Sequence, residues 1–416
     1  MSPDMRADVL VVGGGIVGVS CALSARERGL SVLLCDPGEA RRRASYGNAG
    51  CISRSSLFPV SGPGLWRNLP SYLLNRNPGL RLDHAKLPRI APWVFGFLRA
   101  ANGRALRRAA TALDRLASRA FEAHMHLARR AGATGLIKQE GMLRLYRREA
   151  DFAAAAHERE ILLEHGIKFE VIDGEALHEL EPALKRPFAM GVLYTETGSV
   201  SDPGALVEAY RQLFIDEGGR IEQVTVETLR PQGDGFVARF AGGELRARQA
   251  VLAAGGWARG FTRALGYRFP LAVERGYHLH LTPGAGPGLN RPVHDSGGYH
   301  MLAPMRQGVR VTSGVELAPL GAPPNPVQID AAVREARGTL DLGSAVENEP
   351  WLGARPSTPD GLPVIGEAPR HRGLFFAFGH GHVGLSNGPI TGQAIGDLLM
   401  RRSPAFDVTP FSAERF

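Results

Sequence analysis

The feature of this sequence that most constrains its fold is a glycine cluster between two apolar runs near the N-terminus. Residues 7–12 read ADVLVV, the pattern of a buried strand, and GGGIVG follows at residues 13–18, before the helical pattern VSCALSARERG. A second apolar run ends in Asp36. In such a strand–turn–helix–strand unit the glycines let a pyrophosphate approach the backbone, the helix N-terminus faces the phosphates, and the acid binds ribose hydroxyls. The pattern therefore predicts a dinucleotide-binding domain with a parallel sheet.

Length and composition favour a globular protein of two domains. A chain of 416 residues with 44% hydrophobic and 22% charged residues is too long for one core and does not have a disordered composition. It contains no uninterrupted apolar stretch of about 18 residues, so no membrane-spanning helix is predicted. The N-terminus lacks the pattern of a signal peptide, and the three cysteines form no CxxC motif. We therefore expect a cytoplasmic protein without disulfides or a structural zinc.

Basic residues are concentrated in one segment of the chain. Residues 41–130 hold 17 Lys or Arg against 3 Asp or Glu, whereas the whole chain has a net charge of +8. Nearly all basic residues are arginines, along the whole chain, and such a bias does not by itself indicate phosphate recognition. Charge alone therefore does not predict nucleic-acid binding.

Within this segment, residues 57–101 mix arginines with aromatic and aliphatic residues, and prolines interrupt them. This composition suits an amphipathic patch that lies on anionic lipid at the inner face of the membrane. The same apolar side chains suit a core beneath the second domain, with the arginines at its surface. Both interpretations stay open at this point.

Strand and helix signals that suit the nucleotide-binding sheet recur in several distant parts of the chain, so this sheet is expected to be discontinuous in sequence. The fold class that we predict is α/β (α+β), a doubly wound Rossmann-like domain interleaved with a second domain built on an antiparallel sheet. The predicted cofactor-binding domain consists of residues 1–62, 190–262 and 345–416, and the predicted substrate-binding domain of residues 63–189 and 263–344.

A second glycine motif, GHGHVG at residues 379–384, follows the apolar run LFFAF. It matches GxGxxG, but no acid follows at the spacing of about 20 residues that a dinucleotide site needs. We interpret it as a turn and helix start that face a cofactor bound elsewhere. The overlapping GLSNG matches the GxSxG of hydrolases, but its neighbours fit the glycine turn better.

Four segments together resemble the D-amino-acid oxidase superfamily of FAD enzymes, above all bacterial D-amino-acid dehydrogenases and glycine oxidases. They are GGGIVG with Asp36, SYGNAG (45–50), GARPSTPDGLPVIG (353–366) and GHGHVGLSNGPITG (379–392). The resemblance covers nearly the whole chain in the family's order. It implies that an amino acid or secondary amine (a D-amino acid, an imino acid or an N-alkyl amino acid) is oxidised at its C–N bond to an imine. The implied electron acceptor is O2 or a quinone.

The resemblance also implies which residues hold the FAD. Neither GARPSTPD nor RRRASYGN has a cysteine or histidine at the positions that relatives use to attach the flavin, so non-covalent binding is expected. The implied cofactor-binding residues are Gly13, Gly15, Ile16, Val17, Gly18, Asp36, Pro37, Ala44, Ser45, Asn48, Ala49, Gly50, Cys51, Val226, Gly255, Gly256, His380, Gly381, Val383, Gly384, Leu385 and Ser386.

For the substrate, Arg355 matches the family's carboxylate-binding arginine, whose guanidinium fork suits a carboxylate. His382 stands where glycine oxidases have a second arginine, a departure that argues against a simple glycine-like substrate. Tyr277, Tyr299 and His300 are further candidates, although sheet packing would explain each of them equally well. No general base is expected, because a neutral amine can pass hydride directly from its α-carbon to the flavin.

His278 and His280 form a His-x-His pair on one face of a predicted strand. No third ligand has convincing spacing, so no metal site is predicted. Two other functions stay open. One is a flavin-dependent enzyme that modifies a nucleoside in tRNA, supported only by the basic segment. The other is a non-catalytic flavin-binding subunit of a larger complex.

Overall fold

The computed structural model describes residues 6–62 and 64–416; residues 1–5 and 63, which belong to the predicted domains, lie outside the described part. Its strands are β1 (Arg6–Val12), β2 (Val32–Cys35), β3 (Cys51–Ile52), β4 (Leu80–Leu82), β5 (Ile137–Lys138), β6 (Met142–Tyr146), β7 (Glu170–Asp173), β8 (Met190–Tyr194), β9 (Gly198–Val200), β10 (Arg220–Glu222), β11 (Thr228–Gln232), β12 (Gly235–Phe240), β13 (Gly243–Leu252), β14 (Ala272–Pro283), β15 (Val293–Asp295), β16 (His300–Met305), β17 (Gly308–Thr312), β18 (Val315–Leu317), β19 (Leu342–Ala345), β20 (Trp351–Ser357), β21 (Val364–Glu367) and β22 (Leu374–Phe378). Its α-helices are α1 (Ile16–Glu27), α2 (Leu65–Leu73), α3 (Ala91–Ala100), α4 (Gly103–Arg130), α5 (Glu149–Ala154), α6 (Ala156–Glu164), α7 (Gly174–Leu180), α8 (Pro203–Asp216), α9 (Ala258–Ala264), α10 (Val327–Thr339) and α11 (Gly384–Leu399).

The first sheet is the predicted nucleotide-binding sheet. Its strand order is β10-β2-β1-β13-β12-β11, and β22 adds to β13 and carries β21 at its edge. The central pairs β2–β1, β1–β13 and β13–β22 are parallel. Val9 and Val11 of β1 pack on one side with α1, α8 and α11, and Leu10 packs on the other side. Both faces are therefore covered, as a parallel sheet requires, and the predicted fold class is confirmed.

The second sheet contains β4-β18-β14-β17-β16-β15-β6-β8-β7, with β19 and β20 also paired to β14. It is mostly antiparallel, and β14 is its longest strand at 12 residues. Apolar side chains such as Leu143, Leu281 and Val311 pack beneath it with α10. This is the antiparallel sheet that the sequence predicts for the second domain.

Two strands and one helix pack with the other domain than the predicted boundaries assign them to. β8 and β20 belong to the second sheet, although both lie in segments assigned to the cofactor-binding domain. Helix α4, assigned to the substrate-binding domain, packs against α11 and α8, with Leu113 and Leu116 buried in the same core as β1. The chain crosses between the sheets inside these segments, and neither composition nor spacing marks such a crossing.

Some apolar side chains of the segment 57–101 are buried in a core and others are exposed. Leu65, Trp93 and Phe97 are buried in a core with β18, and the Trp93 indole donates to the carbonyl oxygen of Ser357 at 3.0 Å. By contrast, Trp66 and Phe95 are 52% and 70% exposed. In the described part of the chain, no helix is both long and apolar enough to span a bilayer.

Many arginines of the basic segment have acidic partners elsewhere in the chain. Arg107 pairs with Glu164, Arg115 with Asp407, and Arg130 with Glu27 and Glu217. These pairs neutralise much of the local positive charge within the protein itself, so the charge count of the segment overstates its attraction for polyanions.

Candidate active site

A cavity that is partly open to solvent extends from the ends of β1, β13 and β22 towards the second sheet at β20. Its lining includes the first glycine turn, the loop 42–48, the residues 253–257 that follow β13, and the turn after β22. The carboxyl ends of parallel strands meet at this edge, which is where open α/β sheets bind ligands.

The first glycine turn can hold a pyrophosphate without side-chain interference. Gly13 has a φ of 108°, and a Cβ there would lie 2.5 Å from the carbonyl oxygen of Ala253. A Cβ on Gly18 would lie 2.9 Å from the carbonyl carbon of Gly13, so this glycine lets α1 pack closely on the turn. No side chain caps α1 at Gly15, and its first turn has no acidic residue. The Ile16 N–H donates only a long hydrogen bond, of 3.4 Å, to Ser45 Oγ, so the first N–H groups of α1 and the helix dipole favour an anion here.

Asp36 lies at the end of β2 and lines the same cavity. Its carboxylate accepts hydrogen bonds from the backbone N–H of Gly14 at 2.9 Å, from that of Gly38 at 3.0 Å, and from Arg43 at 2.7 Å. Burial acts to raise the pKa of Asp36, but the hydrogen bonds and the charge of Arg43 hold it below its ordinary value. The group is therefore an ionised acceptor near neutral pH, as binding of ribose hydroxyls requires.

Sequence reasoning missed several residues at this end of the cavity. The Arg42 guanidinium carbon lies 5.4 Å from the centre of the Trp257 ring, and both residues line the cavity with Phe261. Trp257 directly follows the predicted Gly255-Gly256 pair, and this position was the sequence signal that could have identified it as a lining residue. Arg42 and Arg43 were counted only as part of the basic segment.

The second glycine turn brings the N-terminus of α11 to the opposite end of the cavity. This helix begins at Gly384, the last residue of the GHGHVG motif. Pro389 has no N–H to offer the carbonyl of Leu385, and the imidazole Nε2 of His124 lies 2.8 Å from that oxygen instead. Burial lowers the pKa of His124 to about 4, so this histidine is neutral when it donates.

Most of the predicted cofactor-binding residues line this cavity. They are Gly13, Gly15, Ile16, Val17, Asp36, Pro37, Ala44, Ser45, Asn48, Val226, Gly255, Gly256, His380, Gly381, Gly384 and Leu385. The others, which are not part of the lining, are Gly18, Ala49, Gly50, Cys51, Val383 and Ser386. The last of these supports the lining, because the hydroxyl oxygen of Ser386 accepts from the backbone N–H of Ser53 at 3.2 Å.

Arg355 reaches the cavity from the second sheet. It pairs with Glu274 in the β14–β20 register, and its guanidinium lies over Gly276, where a Cβ would be 2.5 Å from Cζ. The Nη1 atom is buried and has no hydrogen-bond partner among the described residues. Leaving a charged donor unsatisfied is costly, so this arrangement is typical of a site that receives an anionic ligand.

Glu274 links His382 to Arg355, and sequence reasoning missed this carboxylate. Its Nε2 donates to Glu274 Oε2 at 2.6 Å. Burial acts to raise the pKa of Glu274, but its interaction with His382, followed by those with Ser357 and Arg355, holds the pKa below its ordinary value. The position of Glu274 just before the Arg-Gly-Tyr-His run was the only sequence signal, and it does not distinguish the residue from a surface acid.

Of the five substrate candidates only Arg355 belongs to the cavity lining; His382, Tyr277, Tyr299 and His300 do not. The Tyr277 side chain points to the opposite face of β14, where its hydroxyl donates to Glu316 at 2.7 Å. Tyr299 has a φ of 54° and accepts from Asn77 at 3.3 Å. His300 is buried, with Nδ1 3.1 Å from the carbonyl oxygen of Gly298.

The His-x-His pair does acquire a third potential ligand, Glu347, which is distant in sequence. However, both ring nitrogens of His280 are engaged: Nδ1 bonds Glu347, and Nε2 accepts from the buried Arg310 at 3.0 Å. A guanidinium at this place would repel a cation. Arg310 also donates to the carbonyl oxygens of Tyr46 and Asn48. We therefore interpret the cluster as a network that holds the loop 45–50, not as a metal centre.

The residues present fit a flavin dinucleotide. The uncapped α1 and the glycines would hold the pyrophosphate, Asp36 the ribose, and the N-terminus of α11 would face the electron-rich edge of the flavin ring. Residues 379–384 do not form a second site of this kind, because His380, Gly381 and Gly384 line the same cavity.

Comparison with known proteins agrees with this fit. Residues 8–398 match the family model described as FAD dependent oxidoreductase, DAO. The chain is 33% identical to a D-amino-acid oxidase of Bradyrhizobium diazoefficiens, over 98% of both chains. It is 28% identical to D-amino acid dehydrogenase 2 of Ralstonia nicotianae, over 98% of this chain and 100% of that one. The fold of glycine oxidase from Geobacillus kaustophilus matches with a TM-score of 0.74 and 24% identity, over 99% of both chains. The chain belongs to the DAO family of FAD-dependent oxidoreductases.

Proposed function

We propose that this oxidoreductase acts on an amino acid or imino acid whose carboxylate is held by Arg355. The observation that carries the proposal is the buried Nη1 of Arg355, which has no partner among the described residues and belongs to a residue of the cavity lining. A carboxylate would satisfy this donor, and a guanidinium binds it through two parallel hydrogen bonds. The names of the relatives, D-amino-acid oxidase and D-amino acid dehydrogenase, agree with a substrate of this class.

In this proposal the residues of the chain bind and orient, and FAD supplies an acceptor for the hydride of the substrate's α-carbon. Arg355 fixes the carboxylate, which sets the direction of the α-carbon and its amino group. Burial of the guanidinium limits its access to water and so strengthens the contact. The product is an imine, which water hydrolyses after release.

A bleaching screen tests the proposal. The FAD-loaded protein is mixed without oxygen with D-amino acids, L-amino acids, imino acids, N-methyl amino acids and the matching amines without a carboxylate, and flavin absorbance is recorded. We expect one carboxylate series to bleach the flavin and its decarboxylated amines to fail. Arg355→Ala should lower kcat/KM for the carboxylate substrate by a factor that corresponds to about 2–4 kcal/mol of lost transition-state stabilisation. The FAD content should stay unchanged. Equal bleaching by an amino acid and its decarboxylated amine would contradict the role of Arg355.

We also propose that the exposed apolar side chains of segment 57–101 rest on anionic lipid, which would give the reduced flavin access to a membrane quinone. Trp66, Leu73 and Phe95 are exposed, and Arg67, Arg76 and Arg99 lie within four residues of them in the sequence. An amphipathic surface of this kind binds through both apolar contact and charge.

Co-sedimentation with vesicles tests this second proposal. Binding to anionic vesicles should weaken with added salt and with the pair Trp66→Ser and Phe95→Ser. Leu163→Ser is a matched control, since Leu163 is 63% exposed but lies on α6, outside the segment. No sedimentation at low salt, or equal loss with the control variant, would leave O2 as the acceptor to be tested by oxygen consumption.

A further inference from the structure

Glu274 is a buried carboxylate that none of the binding steps above requires. Its side chain is 4% exposed, whereas that of His382, to which it is hydrogen-bonded, is 43% exposed. The two residues come from different sheets: Glu274 lies in β14 of the second sheet, and His382 lies in the turn after β22 of the first. Arg355 is the register partner of Glu274, so the pair lies beside the cation that would hold a substrate carboxylate.

The hydrogen bond to Glu274 decides which imidazole nitrogen of His382 is free. An ionised carboxylate only accepts, so the proton in the 2.6 Å contact belongs to Nε2 of His382. In the neutral ring the other nitrogen, Nδ1, then carries a lone pair. Within the described residues no hydrogen bond engages Nδ1, and the His382 side chain is 43% exposed, beside the cavity but not among the residues of its lining.

We infer that Glu274 is a positioning residue for His382, and that Nδ1 of His382 accepts the proton that a substrate ammonium group must lose before its C–N bond is oxidised. The inference rests on the proposed function. One proton passes from the ammonium to Nδ1 and leaves a neutral amine. The α-carbon then gives up its hydrogen with both bonding electrons to the flavin, the C–N bond becomes an iminium, and the imidazolium later releases its proton to water.

The charges around His382 suit such a step. Glu274 stabilises an imidazolium, as a buried acid does for the histidine of a hydrolytic triad. Arg355 places a positive charge beside the same carboxylate. The first turn of α11, which follows His382 directly, contributes no charged side chain.

Rapid anaerobic reduction of the holoenzyme by an amino acid, measured across pH, tests the inference. His382→Gln keeps a donor to Glu274 but has no base, so we expect the reduction rate at neutral pH to fall by about 100-fold. The rate should recover at the higher pH at which the free substrate loses its own proton. Glu274→Gln keeps the hydrogen bond and removes the charge, so the midpoint of the pH profile should move about one unit to lower pH.

A matched control comes from the other face of the same sheet. Glu316 is also a buried carboxylate, paired with Arg275 and Tyr277, and Glu316→Gln should leave the pH midpoint unchanged. Glu274→Asp, which keeps the charge, should retain the midpoint if Glu274→Gln fails to fold or to hold FAD. A readout without turnover is the ¹⁵N spectrum of labelled histidines in the holoenzyme. There the His382 titration should move in Glu274→Gln and not in Glu316→Gln.

The outcomes separate the two proposals. If no amino acid bleaches the wild-type flavin, the proposed function fails, and this inference with it. If amino acids bleach it but His382→Gln raises only KM, with an unchanged limiting rate and pH profile, His382 merely binds the substrate and the inference alone is overturned. An unchanged pH midpoint in both Glu274 variants would likewise refute the positioning role.

Discussion

Gly276 lies in β14 beneath the Arg355 guanidinium, and Gly276→Ala tests whether the position of that guanidinium matters. The added Cβ would lie 2.5 Å from Cζ and closer still to both terminal nitrogens, whereas ordinary contacts of a Cβ begin at 3.4 Å. The guanidinium must therefore move by about 1 Å, and a shift of this size in a substrate-positioning group costs about 100-fold in rate, or about 2.7 kcal/mol. The backbone of Gly276 does not have a positive φ, so alanine introduces no backbone strain.

The assay is anaerobic flavin reduction by the best amino acid, with FAD content and thermal unfolding measured in parallel. Gly276→Ala should lower kcat/KM about 100-fold, and in an Arg355→Ala background it should have almost no further effect, because the two changes act on one contact. A kcat/KM within twofold of the wild type would show that the guanidinium does not position the substrate. Additive losses in the double variant would show that Gly276 acts independently of Arg355.

Three further predictions concern the cofactor end of the cavity. Gly18→Ala should prevent FAD retention, because its Cβ would lie 2.9 Å from the carbonyl carbon of Gly13 and closer to the oxygen; absorbance of the purified protein measures this. Acid denaturation of the wild type should release all FAD into the supernatant, where fluorescence detects it. Asp36 has a lowered pKa, so the stability it contributes is present near neutral pH and is lost as the pH falls through that value; Asp36→Asn should flatten this acid limb in denaturant titrations.

The parts of the fold that could be predicted are those in which local pattern and tertiary role coincide. The GGGIVG turn has one physical use, and the strand runs on either side of it are buried on both faces, so β1, α1 and β2 followed from the sequence. The crossing of β8 and β20 into the second sheet did not, because a strand's partner depends on packing that no local pattern records. Helix α4 shows the same limit, since its apolar stripe predicts a buried face but not which sheet it covers.

The same distinction explains the candidate site. Arg355 and His382 stand in motifs that resemble those of the family, so the resemblance was enough to select them. Glu274 has no motif and becomes conspicuous only when β14 pairs with β20 and buries it beside both residues. Tyr277 was selected because it follows Gly276, but alternation along the strand directs its side chain to the face where Glu316 lies.

The chemistry of this site depends on the junction between the two sheets. Arg355 lies in β20, the last strand of the second sheet along the chain. The β21–β22 hairpin follows and leads to the turn that carries His382. A backbone bridge between Ser357 and His380 joins the two segments, and the Glu274–His382 hydrogen bond ties them again. A slip of one residue in the β14–β20 register would turn Arg355 to the opposite face and break both arrangements. The interleaved order of the chain is therefore what links Arg355, in the lining of the cavity, to His382 through Glu274.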